Sequence, residues 1–108
     1  MKAHAASSLA ARLAQTSSFI SGDVILDPSP ACSVQCIVSF ATGLSASAIA
    51  QASVDGVRWS DLTGTTQDVS SNGNYLFVLS DLFGIRRVRL SVTVSAGIAD
   101  FEIIAGVG

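Results

Sequence analysis

Apolar and polar residues alternate along most of the chain. In residues 32–40, Cys32, Val34, Cys36, Val38 and Phe40 fall on every second position, the period of a strand that buries one face. Residues 48–54 repeat the pattern with small inward positions, Ala48, Ala50 and Ala52. In residues 86–94, Val88, Leu90, Val92 and Val94 point one way and Arg87, Arg89, Ser91 and Thr93 the other. Ala99, Phe101, Ile103, Ala105 and Val107 then oppose Asp100, Glu102 and Ile104. Tyr75-Leu76-Phe77-Val78-Leu79 is apolar throughout, which predicts a central strand covered on both faces. Residues 15–20 and 23–26 are two shorter strands split by Ser21-Gly22. Turn residues separate these runs at Asp27-Pro28-Ser29-Pro30, Thr42-Gly43-Leu44-Ser45, residues 64–73, Ser80 to Gly84 and Ser95-Ala96-Gly97. About seven to eight short strands with turns between them predict an all-β fold. The expected form is an antiparallel, jelly-roll-like β-sandwich, with a small barrel as the competing architecture.

The stretch from Ser53 to Leu62 holds the chain's single Trp, three residues after Asp55-Gly56. Asp-Gly favours a tight reversal, because Gly tolerates positive φ and Asp bonds its own backbone. The segment reads as a hairpin whose second arm lays Trp59 on the sheet. The small residues Ala50 and Ala52 leave room for that ring, so Trp59 is expected in the core. Asp55, Gly56, Trp59, Tyr75 and Phe77 are read as structural residues.

Residues 1–20 form an N-terminal arm and residues 21–108 the β-sandwich domain. The arm is Ala-rich, with Leu9 and Leu13 at i, i+4. That spacing suits a short helix with a narrow apolar stripe, and an extended arm along a neighbour is the alternative. Either form needs something to pack on, so Leu9 and Leu13 are candidate subunit contacts. Arg12 interrupts the Ala-rich stretch, which makes it a poor signal-peptide core. The expectation is a protein made in the cytoplasm without export. The apolar runs are too short and too broken to span a membrane.

Composition sharpens the picture in two ways. Charged residues are only 13% of the chain, about half the usual share. Much of the surface is therefore Ser, Thr, Ala and Gly, which suits a protein covered by copies of itself or by partners. The net charge of −2 offers no electrostatic case for nucleic acid. Cys32 and Cys36 lie about 13 Å apart along a strand, beyond disulfide reach, so both are read as buried free thiols.

Catalytic constellations do not assemble. His4 is the single His, so Ser-His-Asp and Cys-His schemes lack a base near the body of the fold. Asp23, Asp27, Asp55 and Asp61 are scattered, and Asp55 is explained by its turn. No Gly-rich loop has the spacing that cradles phosphate. Catalytic, cofactor and metal residues are therefore all expected to be none. Arg86, Arg87 and Arg89 make up half of the six basic residues. They read as a solvated strand face paired with Asp100 and Glu102 on the next strand, or, for Arg87 and Arg89, as a subunit contact.

Three segments carry a resemblance. Gln51 to Leu62 contains Ser-Val-Asp-Gly-Val-Arg-Trp-Ser-Asp-Leu, residues 72–77 read Asn-Gly-Asn-Tyr-Leu-Phe, and residues 86–93 read Arg-Arg-Val-Arg-Leu-Ser-Val-Thr. Together they resemble small β-sandwich structural proteins encoded among the virion genes of tailed phages and prophages. The pattern there is S-x-D-G-x-x-W-x-D-L, then G-N-Y-x-F, then R-x-V-R-V-x-V-T. The likeness covers about residues 46–105, with Ala50 and Ala52 in place of commoner valines and Val54 in place of Asn or Asp. It implies a non-enzymatic virion protein, as a capsid-associated decoration or minor structural subunit, or a neck, tail or fibre-base component. Its partners would be other virion proteins and copies of itself, with no nucleic acid and no membrane, and its location the virion. Discoidin-type domains also carry S-x-D-G-x-x-W followed by R-x-x-R-L. That second likeness implies a carbohydrate-binding adhesin module with a glycan ligand.

Overall fold

The computed structural model describes residues 7–26 and 29–107. His4 and the Asp27-Pro28 pair lie outside the described residues. The described chain is all-β and antiparallel. Its strands are β1 (Ser7–Gln15), β2 (Phe19–Ile20), β3 (Val24–Ile25), β4 (Cys32–Ser53), β5 (Ser60–Asp61), β6 (Gln67–Asp68), β7 (Gly73–Leu79) and β8 (Arg87–Val107).

Two of these strands organise the rest. β4 has 22 residues and β8 has 21, and they pair along their full length from Cys32↔Val107 to Ser53↔Arg87. The register slips between Ser39 and Ala46, opposite residues 94–100. Phe40, Gly43 and Gly97 take positive φ there (55°, 59° and 82°). Bulges of this kind let a strand leave one sheet and enter another. The Thr42–Ser45 and Ser95–Gly97 signals, expected to reverse the chain, therefore bend two continuous strands instead. The bends lie against each other: a Cβ on Gly97 would strike the Gly43 carbonyl and come within 2.6 Å of Leu44 Cα.

The bend divides the sheet into two layers. Layer one is β1, residues 99–107, residues 32–39 and β7, in that order. Layer two has β2 and β3 on one flank of residues 87–94, and β5 and β6 on the other flank of residues 45–53. The layers face each other across the core. Phe19, paired with Val92 in layer two, meets Phe101 of layer one edge-on at 5.3 Å. The result is a sandwich-like all-β fold.

Side-chain size is matched across the paired strands. In layer two the inward residues of β4 are Ala46, Ala48, Ala50 and Ala52, opposite Val94, Val92, Leu90 and Val88. In layer one Val34, Cys36 and Val38 stand opposite Ala105, Ile103 and Phe101, and all six are buried. The alternation read from residues 32–38, 88–94 and 99–105 is thus the core. Phe40 is the exception: its positive φ takes it out of phase, and its side chain is 79% exposed.

The two layers end differently at their flanks. β2–β3 and β5–β6 are broken into two-residue pieces, and hydroxyls fill the gaps. Leu90 N–H donates to Ser21 Oγ at 2.9 Å and Val94 N–H to Ser18 Oγ at 3.0 Å. Ala46 N–H donates to Ser70 Oγ at 3.0 Å and Ala50 N–H to Thr65 Oγ1 at 3.1 Å. Each satisfies a backbone donor that a continuous strand would have served. The flanks of layer one, β1 and β7, are continuous strands of nine and seven residues.

Of the helix and the extended form open to the arm, β1 takes the extended one. Ser7–Gln15 pairs with residues 99–105 of its own domain. A separation of four is even, so it suits one face of a strand as well as of a helix, and the bulge between Ser8 and Ala10 falls at Leu9. Leu9 packs against the core, its carbonyl accepts from Gly22 N–H at 2.7 Å, and Arg12 lies 5.1 Å over the Phe19 ring. β7 corrects an expectation. It pairs with β4 alone and is an edge strand, not a central one.

Candidate functional site: two unlike outer faces

The outer face of layer two carries a polar network, with exposed Ile20 and Ile25 on its β2–β3 flank. Strand parity sends Arg89 outward, and the Gln51↔Arg89 and Gln51↔Asp61 registers bring three polar side chains into one row. Arg89 Nε donates to Gln51 Oε1 at 2.8 Å, and Gln51 Nε2 donates to Asp61 Oδ1 at 2.9 Å. The Arg89 guanidinium carbon sits 4.0 Å from the Trp59 ring centroid, a stacked cation–π contact. Trp59 is thus half-buried on the outer face, not in the core against Ala50 and Ala52. Two residues before Asp61, it shares that residue's side of the sheet.

The Asp55 loop closes one end of this face. Asp55 Oδ1 accepts from Arg58 N–H at 2.8 Å, Val57 N–H at 2.9 Å and Ser53 Oγ at 3.1 Å; its Oδ2 accepts from Arg58 Nε at 3.1 Å. The Arg58 and Val57 amides lead in holding its carboxyl down from 3.8 to about 2, because they bond the charged form. Gly56 takes φ 78° beside the Arg87 side chain. Arg87 Nη1 pairs with Asp23 Oδ2 at 2.9 Å. The arginines were expected to meet Asp100 and Glu102. Instead Asp100 accepts from Ala14 N–H at 2.8 Å, and β8 bends into the other layer where a hairpin would have brought those acids back. Arg87 and Arg89 are therefore engaged with their own chain.

The outer face of layer one has no such network and mixes polar residues with exposed aliphatic ones. Leu76 and Val78 on β7 are 54% and 70% exposed. Beside them stand half-buried Ile37 of β4 and Ile104 of β8, with Ser33, Gln35, Glu102 and Gly106 between. A depression of about 160 Å³ lies among Ser33, Gln35, Leu76, Ile104 and Gly106. At the far side, Leu13 of β1 is 81% exposed, whereas Leu9 is held by the domain. On the inner side of β7, Phe77 is buried and Tyr75 half-buried, its hydroxyl donating to Ser71 O at 2.7 Å.

No family model, curated protein or solved structure matches the chain. The site is therefore read from its own geometry. Cys32 and Cys36 are free and buried, and burial raises them from 9.0 to about 11 and about 12. They are protonated thiols at neutral pH, in a poor state to attack or to bind metal. Among the described residues, no three His, Cys, Asp or Glu side chains come together as a metal site.

Sequence reasoning did not find the layer-one face. Its signal was present in the fully apolar run of β7: a strand apolar on both faces needs a cover on both, and the monomer covers one.

Proposed function

We propose that the protein is a non-enzymatic structural subunit of a phage particle, a capsid-associated decoration or minor structural protein that stabilises the particle through subunit contacts. The observation that carries this reading is the exposed aliphatic cluster at the β7 edge of layer one, formed by Leu76 and Val78. Apolar clusters on soluble proteins mark interaction surfaces. The low charge of the chain and its likeness to virion β-sandwich proteins over residues 46–105 agree with it. A neck, tail or fibre-base position is the next choice. The glycan-binding alternative calls for Trp59 as a free stacking platform. Here one face of the indole is stacked on Arg89, which supports a structural role for that ring.

A protein that binds an assembled shell and not its free subunits stabilises the shell by mass action. The test is co-sedimentation with particles assembled from the capsid genes of the source phage. The protein is expected to pellet with assembled shells and to stay in solution with dissociated capsomers. Failure to pellet with shells, in the presence of binding to tails, would move it to the neck or tail. Binding to neither would overturn the structural reading.

A further inference from the structure

β7 has a backbone edge turned away from β4. Leu76 O accepts from the side chain of Gln67 at 2.7 Å, so this carbonyl points away from β4. In an antiparallel ladder the N–H and C=O of alternate residues face the same side. Asn74, Leu76 and Val78 therefore present their backbone groups to the free edge of β7, and their side chains to the outer face. The other long flank, β1, is engaged by the Gly22 N–H to Leu9 O bond, and the flanks of layer two are broken strands with hydroxyls in their gaps. β7 is a continuous strand, and beside its edge, among the described residues, stand Gly64, Thr65 and the hydrogen-bonded Gln67 side chain. It lacks the charges, prolines and bulges with which proteins protect such edges.

We propose that this edge is a strand-addition site whose occupant is β7 of a second copy. The two strands pair antiparallel about a two-fold axis at Leu76, after the Gln67 side chain swings off the Leu76 carbonyl. This deepens the assembly reading by naming the contact. The geometry fits a self-pair. With the axis at Leu76, Leu76 faces its own copy and Asn74 faces Val78, so all three outward-facing residues exchange backbone hydrogen bonds with a partner. β7 carries no charged residue, so no like charges meet. The exposed Leu76 and Val78 side chains of the two copies then form one apolar row across a continuous sheet. A strand of seven residues is about 24 Å long. Such a contact is at the small end of interface size, so the pairing is weak and concentration-dependent. Many copies on a particle make it cumulative.

The register gives a specific test. Leu76→Lys and Leu76→Glu each place like charges face to face across the axis, at a position already exposed in the single chain. Sedimentation of the wild type is expected to show a monomer–dimer equilibrium. Each variant alone should weaken it about tenfold or more, and an equimolar mixture of the two should restore it through Lys–Glu pairs. Gln67→Ala, which frees the Leu76 carbonyl, should strengthen the wild-type dimer. A wild type that stays monomeric at every concentration overturns the edge pairing, whereas co-sedimentation with shells decides the structural role separately. A dimer untouched by both Leu76 variants, or one the mixture fails to restore, also overturns it. Should a Leu76 variant fail to fold, amide exchange of wild-type residues 73–79 against concentration decides the question: slowing supports the pairing, and its absence overturns it.

Discussion

Layers one and two are made from the same two long strands, yet their outer faces are built differently. Layer two ties its outer face together with Trp59, Arg89, Gln51 and Asp61, and fills the gaps in its flanks with Ser18, Ser21, Thr65 and Ser70. Ile20 and Ile25, on the flank strands β2 and β3, are the apolar residues it leaves outside that network, 48% and 57% exposed. Layer one keeps continuous flanks and leaves Leu76, Val78 and Leu13 exposed. Composition alone hides this difference, because both layers draw on the same small, weakly charged alphabet. What separates them is where the polar side chains fall relative to the backbone.

The largest effect should come from the core that both layers share. Phe101 is 2% exposed and packed on Phe19 across the two layers. Phe101→Ala is expected to cost about 3–5 kcal/mol, the range for a truncated core aromatic. Trp59→Ala, on the outer face of layer two, should cost about 1 kcal/mol, the scale of an exposed cation–π contact. Urea denaturation of both variants checks the pair. Equal losses would return Trp59 to the core and erase the distinction between the faces.

The next effect belongs to layer two alone. Ser21→Ala removes the acceptor for Leu90 N–H, and Leu90 is fully buried. An orphaned buried donor costs about 1–3 kcal/mol. Ser33→Ala, on the outer face of layer one, should fall within about 0.5 kcal/mol of the wild type. Thermal unfolding of the two variants measures whether hydroxyls close the flanks of layer two.

Much of this was legible from the residues. The inward sets at 32–38, 88–94 and 99–105 follow from period-two alternation, because burial on one face imposes that period. The all-β class and the short pieces at Phe19–Ile20 and Val24–Ile25 follow from the same signal. Other features were not legible. Gly43 and Gly97 mark positive φ, which serves a bend as well as a reversal; only the partner strand decides between them. That decision moved Asp100 and Glu102 away from Arg87 and Arg89. The side of the sheet taken by Trp59 depends on the β4–β5 register, and a one-residue slip inverts it. Leu9 and Leu13 did not discriminate, because a separation of four suits one face of a helix and one face of a strand alike. The apolar run of β7 was visible, but its place at an edge is a property of topology.

A smaller effect concerns pH. Cys32 and Cys36 rise from 9.0 to about 11 and about 12 in the fold, so folding favours the protonated thiols. Their contribution to stability is whole below about pH 9 and is lost as pH climbs through 11 and 12. Asp55 has the opposite sign: its contribution is whole above 3.8 and fades as pH falls through about 2. Cys32→Ala/Cys36→Ala protein should therefore show a flatter alkaline limb in a pH series of unfolding midpoints. Because both thiols lie in layer one, the change should leave the acid limb, set in part by the layer-two loop at Asp55, as it was.

The central claim is that layer one meets other subunits while layer two stands alone. Amide hydrogen exchange of the wild-type protein, followed from dilute to concentrated solution, reads both faces at once. The account predicts that the amides of Asn74, Leu76 and Val78 slow as concentration rises, and that those of β2 and β5 keep their rates. Slowing confined to β2, β5 and the Trp59 face would contradict it.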